Sequence, residues 1–568
     1  MSGGRRKGAS GGAKARSRRI RILTGCAVLA LGALGVRAAF LGTVQAGALS
    51  ARAEDQRRVE AEIPARRGDI VARDGRDLAA GVPALFVTAD PGQVKDPIAT
   101  ARALAPLLGR NPEELANQLG RRSRYEVLAR AADSSGDAKK KLAALKVPGL
   151  VVTDVDQRFY PQGKTAAQLL GLIGEGGNEG LEEQYDDVLT GRPGRRVELQ
   201  DPFRRPLRVL VDDAPVDGRD VHVTIDSAIQ EYAENVAVNT RERSDAASVS
   251  VVVMRPSDGA IYAMATVPRY DPNNRAKLPA DRRNLPAVHN YEPGSTFKIV
   301  TIAGALEEGL VTPKTAFVLP PTLTMFKGTP YATTLHEAHD RGTVTYSVSE
   351  ILKYSSNIGT VKVAERLSEI NKFELWIRRF GFGAPTGIDY PGESPGDVPP
   401  GTEWSGVSIL NIPIGQGITT TLLQMARAYA AVANGGRLVT PHLATRVGSR
   451  SVPAPAGKRI ISSRTARQLT EMLVGVVRSD GTGAEAQVKG YDVAGKTGTS
   501  NKIAPDGTYD RGRYWASFIG YLPARNPKVL IAVMVDEPSG GRVYGGEVAA
   551  PAFEDIAKFT IGRLAISP

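Results

Sequence analysis

The sequence predicts an α+β protein: one antiparallel sheet backed by an inserted helical region, preceded by a mixed α/β module and a single membrane-crossing helix. Strand-forming runs lie at both ends of the C-terminal half, with helical periodicity between them. A charge-free apolar run follows a basic N-terminal stretch. Three short motifs, Ser295-Thr296-Phe297-Lys298, Ser355-Ser356-Asn357 and Lys496-Thr497-Gly498-Thr499, fall at the junctions of the predicted elements. With 568 residues, 42% hydrophobic and 23% charged, the chain is long enough for more than one core and too mixed for wholesale disorder.

The formal net charge is +13, and Arg5, Arg6, Lys7, Lys14, Arg16, Arg18, Arg19 and Arg21 contribute most of that excess from a stretch without acids. A basic chain can bind nucleic acid, but a Gly/Ala/Ser-diluted tail directly before an apolar run reads instead as membrane topology, so no nucleic-acid partner is expected. The run from Ile22 carries no charge through Val36 and resumes after Arg37 to Val44. It spans a bilayer if Arg37 snorkels to the outer interface. The positive side stays cytoplasmic, which places the rest outside. Ala46-Gly47-Ala48 would suit a cleaved signal peptide, but the run outlasts a typical h-region and an uncleaved anchor is favoured. The expected domains are a tail at 1–19, an anchor at 20–44, a first module at 45–219 and a catalytic domain at 220–568.

Cys26, the only cysteine, lies inside the apolar run, so no intrachain disulfide and no external thiol nucleophile is available. The histidines are His222, His289, His336, His339 and His442; only His336 and His339 are close, without the i, i+4 spacing of a zinc-protease helix, and they read as a solvated loop pair. No metal and no cofactor is expected. The first module shows Arg67 to Gly75 as a strand with an Asp-Gly turn, then helical stretches around 97–120 and 136–145. Beyond it, Val221 to Ile225 reads as a strand and Ala228 to Val238 as a helix; Ser248 to Met254 pairs with Ala260 to Thr266 through a loop ending in Gly259. Leu422, Met425, Ala426, Tyr429, Val432 and Ala433 fall at buried-helix spacing. Tyr491 to Ser500, Tyr514 to Tyr521 and Val529 to Val535 complete the antiparallel set, and Ala549 to Leu564 forms a last helix.

Pro293-Gly294 breaks the chain and Ser295 is expected to open an apolar-periodic helix to Gly309, which puts Ser295 and Lys298 on one face. A serine hydroxyl needs a base, and a partly desolvated lysine is neutral enough to be one. A helix N-terminus also favours a developing oxyanion. Alone, Ser295 would be a helix cap and Lys298 a solvated residue. Thr345 is expected to cap a helix with Val348, Ile351 and Leu352 on its apolar face; Ser355-Ser356-Asn357 ends it, and a second helix begins near Ile358. That loop aims a hydroxyl and an amide at the nucleophile, although such a tripeptide is usually only a turn. Lys496 to Thr499 sits on a strand, where Lys496 and Thr497 suit a carboxylate and Gly498 admits close backbone approach by a peptide. Each motif alone is weak; their order is specific.

At these residues the chain resembles a penicillin-binding protein of the class B, monofunctional transpeptidase kind. RGDIVARDGRDLA, RFYPQG and GLEEQYDDVLTG resemble the pedestal motifs of that class, and EPGSTFK, KYSSNIG, KGYDVAGKTGTSNKIAPDGTY and VYGGEVAAP resemble its cell-division branch, the FtsI family. The resemblance implies a penicillin-recognising transpeptidase domain on a dimerisation-type pedestal. It also implies D,D-transpeptidation of peptidoglycan stem peptides, with Ser295 as nucleophile, Lys298 as base and Ser355 as proton shuttle. Asn357 would orient the donor, Lys496 and Thr497 would hold its carboxylate, and the Ser295 and Thr499 amides would form the oxyanion hole. β-Lactams would acylate Ser295, and a membrane glycosyltransferase and divisome proteins would be partners at the septum. The alternatives are a side-wall enzyme of the same class, or a carboxypeptidase or β-lactamase sharing the three motifs. A bifunctional synthase is opposed by the missing catalytic glutamate around Asp156 to Tyr160, and a non-enzymatic scaffold by the intact motifs.

Overall fold

The computed structural model describes residues 11–133, 136–174, 177–200, 206–325, 327–328, 332–337, 342–367, 370–504, 506 and 508–568. Arg5, Arg6, Lys7 and His339 of the sequence reading lie outside the described residues. The chain divides into two compact units.

One unit comprises the chain up to Ala65 together with Arg192–Val216. Its helix Gly11–Thr43 contains a 26-residue segment, Arg18–Thr43, long and apolar enough to cross a membrane. Arg37 lies in that helix with its guanidinium 5.9 Å from the centroid of the Phe40 ring. After helix Ala46–Arg57 the unit closes with a three-stranded antiparallel sheet in the order Arg58–Ile63, Gly194–Gln200, Pro206–Asp213.

The other unit comprises Arg66–Gly191 and Asp217–Pro568. Its main sheet is antiparallel, in the order Ile261–Val267, Ser248–Met254, Val529–Asp536, Tyr509–Leu522, Ala494–Ile503. Successive side chains of a strand point to opposite faces, and both faces here are covered. Val529, Ile531, Val533 and Val535 join the core shared with helices Ser227–Arg243 and Ala550–Leu564. Leu530, Ala532 and Met534 join the core of the inserted helices Lys298–Glu307, Leu422–Ala433 and Ser463–Val477. The expected sheet with inserted helices is therefore present, with a second helical layer behind it.

Residues 66–191 fold about Asp77–Ala89, a strand flanked by Glu126–Asp133 and Leu150–Phe159, with helices Pro97–Leu108 and Pro112–Leu119 packed through Leu85, Val87, Leu104 and Leu115. The Asp-Gly turn joins Ile70–Val71 to that strand. Val221–Val223 runs parallel to Ile70–Val71 and antiparallel to Ala444–Val447, so three distant segments share one sheet. The pedestal motifs converge on one buried carboxylate. Glu182 accepts from Arg67 Nε at 2.9 Å and from Arg158 Nε at 2.6 Å, while Arg67 Nη1 reaches Asp186 at 2.6 Å and Arg158 Nη1 donates to Gly68 O at 2.7 Å. Around fully buried Glu182 two guanidiniums take the place of water.

Two expectations near the motifs are corrected. Ser295 lies in a 3-10 turn, Gly294–Phe297, and the α-helix proper starts at Lys298. The helix cap is Ser347, in a capping box with Glu350; Thr345 belongs to the short strand Val344–Ser347, paired with Val318. Capping needs an extended residue directly before the first turn, and Thr345 lies too far upstream.

Candidate active site

Ser295 is half-buried, and its turn is clamped from two sides. Gly294 has φ +55°, a left-handed backbone that suits glycine, and its N–H donates to Gly415 O at 3.0 Å. A Cβ on Gly294 would stand 3.1 Å from Thr499 O, which places the turn against the strand of the third motif. Ser500 Oγ donates to Glu292 O at 2.7 Å, and Tyr429 Oη donates to Thr296 O at 2.8 Å. The Ser295 turn is thus fixed by the sheet edge, by the Gly415 turn and by helix Leu422–Ala433.

Gly498 completes the clamp. A Cβ there would meet Ser517 Oγ at 2.5 Å, Thr296 Cγ2 at 2.9 Å and Pro293 O at 3.1 Å. The room that this glycine leaves is taken up by the neighbouring strand and the Ser295 turn.

Lys298 is fully buried, and its ammonium donates to Ser355 O at 2.6 Å, Asn357 Oδ1 at 2.7 Å and Ser355 Oγ at 3.3 Å. Burial lowers its pKa to about 7, against the opposing pull of Glu337. Ser355 sits between helices Val348–Lys353 and Asn357–Arg366 with φ +58°, a left-handed conformation that costs a serine about 1–3 kcal/mol. That backbone turns both its carbonyl and its hydroxyl onto Lys298. Ser356 caps the second helix through Gly359 N at 2.9 Å.

Lys496 is also fully buried; it donates to Thr497 O at 3.1 Å and Thr497 Oγ1 at 3.2 Å. Burial first and Lys298 second hold it well below the usual lysine range. A carboxylate arriving here supplies the counter-charge that keeps the ammonium protonated. Thr497 Oγ1 lies 3.0 Å from Thr482 Oγ1, and Thr499 Oγ1 accepts from Gly545 N at 3.1 Å. Ala494–Ile503 is the edge strand of the sheet, with Lys496, Thr497 and Gly498 all buried on it.

The first two motifs thus bond directly and the third lies against the Ser295 turn. The sequence reading missed Glu337 and Glu292. Glu337 Oε1 accepts from Ser356 Oγ at 2.6 Å and from Ile358 N at 3.2 Å, and its Oε2 accepts from Asn357 N at 2.9 Å. Carboxylates favour helix N-termini, but this one arrives from a separate segment and no local spacing announces it. His336, beside it, is exposed, and its carbonyl accepts from Asn357 Nδ2 at 3.1 Å. Glu292 is 4% exposed; its Oε1 accepts from Gly417 N at 2.7 Å and Tyr509 Oη at 3.2 Å, and burial pushes its carboxyl up to about 7.

The profile of the penicillin-binding protein transpeptidase domain matches residues 249–558, and that of the penicillin-binding protein dimerisation domain matches residues 62–223. The chain belongs to the penicillin-binding protein transpeptidase family. Both domains of the class B type are present in this transpeptidase, in the order the motifs implied. It is 34% identical to penicillin-binding protein PbpB of Mycolicibacterium smegmatis, over 94% of this chain and 88% of that one. It is 30% identical to peptidoglycan D,D-transpeptidase FtsI of Escherichia coli, over 97% of this chain and 92% of that one. A solved structure of penicillin-binding protein 3 from Mycobacterium tuberculosis, complexed with aztreonam, superposes on the transpeptidase with a TM-score of 0.70 and 31% identity, covering 89% of this chain and 98% of that one.

Proposed function

We propose that the transpeptidase crosslinks peptidoglycan stem peptides at the division septum through an acyl-enzyme on Ser295. Ser295 Oγ attacks the penultimate D-Ala carbonyl of a donor stem while Lys298 takes its proton. The carbon–nitrogen bond to the terminal D-Ala breaks, and the proton returns through Ser355 to the departing amine. An amine of a neighbouring strand then attacks the ester, forms the new amide and releases Ser295. Asn357 orients the donor, Lys496 and Thr497 hold its terminal carboxylate beside Gly498, and the Ser295 and Thr499 amides receive the oxyanion.

The observation that carries this reading is the grip on Lys298. A fully buried amine with a pKa near 7, held by the carbonyl and hydroxyl of Ser355 and by Asn357, is neutral often enough to act as a base at physiological pH. The solved relative complexed with aztreonam supports β-lactams as ligands of this site. The helix Arg18–Thr43 is read as an uncleaved anchor, with the basic tail cytoplasmic and the domains from about residue 45 outside. Residues 45–219 serve as pedestal and 220–568 as catalytic domain, with a membrane glycosyltransferase and divisome proteins as partners.

Mass spectrometry of the full-length chain in detergent after exposure to penicillin tests the chemistry: one adduct is expected, and it is absent from Ser295→Ala. No adduct, or an adduct that survives that substitution, refutes the nucleophile. Rapid turnover of a reporter β-lactam would mark a hydrolase instead. A fluorescent fusion gathers at midcell for a septal enzyme and along the side wall for the alternative.

A further inference from the structure

The second motif does not hold its own shape. Ser355 is in a left-handed conformation, and helix Asn357–Arg366 begins immediately after it, so the first backbone N–H groups of that helix need partners from elsewhere. One carboxylate supplies them. Glu337 takes the amides of Asn357 and Ile358 and the hydroxyl of Ser356, the residue that itself caps Gly359. Asn357 therefore bonds Glu337 through its backbone and Lys298 through its side chain. Asn357 thus ties the carboxylate to the amine by one hydrogen bond at each end of the residue. Among the described residues, the charged groups bearing on Lys298 are Glu337 on this side and Lys496 from the sheet, while Ser355 and Asn357 bond it as neutral partners.

We propose that Glu337 is a positioning residue for acyl transfer: its carboxylate locks the Ser356–Ile358 helix start, holds Ser355 and Asn357 on Lys298, and sets a negative charge behind the base. The proposal rests on the acyl-enzyme reading above. It makes Glu337, the residue directly after strand Thr333–His336, a working part of the site although it belongs to none of the three motifs. Loss of the carboxylate has two separable consequences. The grip on Lys298 loosens, which lowers the rate of Ser295 acylation at every pH. The amine also loses a neighbouring negative charge, so it stays neutral to lower pH and the acid limb of the rate profile moves down. A residue that merely supported the fold would give the first effect without the second.

The test is the second-order rate constant for acylation of the full-length chain in detergent by a fluorescent penicillin, from pH 5 to 9, for wild type, Glu337→Asp and Glu337→Gln. Glu337→Gln is expected to acylate at least about tenfold more slowly on the plateau, with its acid limb about half to one pH unit lower. Glu337→Asp keeps the charge but withdraws it by one methylene, so it falls between the two. If Glu337→Gln does not fold, Glu337→Asp still reports the direction of the shift. Wild-type rates and an unmoved limb in the folded variants overturn the proposal, as does a rate loss with an unmoved limb. A wild-type chain that forms no Ser295 adduct removes the acyl-enzyme reading first, and this role with it.

Discussion

Adding a single methyl group at Gly498 separates packing from chemistry in the third motif. The new Cβ of Gly498→Ala stands 2.5 Å from Ser517 Oγ, 2.9 Å from Thr296 Cγ2 and 3.1 Å from Pro293 O. Ser517 Oγ can rotate away. Thr296 cannot, because it is fully buried and its Oγ1 is bonded to Pro293 O at 2.7 Å, and the third contact is backbone. The methyl group must therefore push the Pro293–Thr296 turn off the edge strand. Overpacking of this kind costs about 2 kcal/mol of stability. The displaced turn carries Ser295, and a misplacement approaching 1 Å costs about 100-fold in rate. Thermal unfolding and stopped-flow acylation by a reporter β-lactam measure the two effects. Gly475→Ala is the control: its Cβ meets nothing within 4 Å in the last turn of helix Ser463–Val477, so it should gain up to about 1 kcal/mol without altering acylation. A Gly498→Ala protein that melts and acylates like wild type would show that the turn is not clamped against the strand.

Two other substitutions test buried carboxyl groups. Burial raises Glu292 from 4.5 to about 7, so the folded state keeps a proton that the unfolded chain releases, and the stability this provides is lost as pH rises from about 4.5 through 7. Glu292→Gln should therefore gain on wild type across that window, by about 3 kcal/mol at pH 8, in chemical denaturation; a gap that stays constant from pH 5 to 8 refutes the buried carboxyl. Arg67→Ala removes one of the two guanidiniums that neutralise buried Glu182 and should cost about 3–5 kcal/mol in the same assay. A loss under about 1 kcal/mol would mean that Arg158 alone suffices.

The main sheet was legible because its strands are runs such as Val249 to Val253 and Val529 to Val535, in which every residue is buried on one face or the other. The motif order was legible because each motif sits where such an element starts or ends. What escaped depends on partners distant in sequence. Thr345 resembles a cap locally, but pairing with Val318 draws it into a strand and leaves Ser347 to cap. Ser295 cannot start an ordinary α-helix while Gly294 is held in a left-handed turn by Gly415, a constraint from about 120 residues away. Glu337 gave no signal, since a lone acid in a polar loop reads the same whether it caps a helix or faces water. At Gly498 the motif announced a close backbone approach, but the packing against Ser517 and Thr296 depends on partners distant in sequence.

The sheet joining Ile70–Val71, Val221–Val223 and Ala444–Val447 sets a timetable for synthesis. Thr224 bonds to the carbonyl of His442, which is made 218 residues later. At 5–20 residues per second a ribosome takes about 10–40 s to cover that distance. Through that interval Val221–Val223 has left the ribosome with one edge still open. Its closing strand emerges only after Ser295, Lys298 and the second motif have all been translated, so an early edge of this enzyme is closed by a strand made long after it.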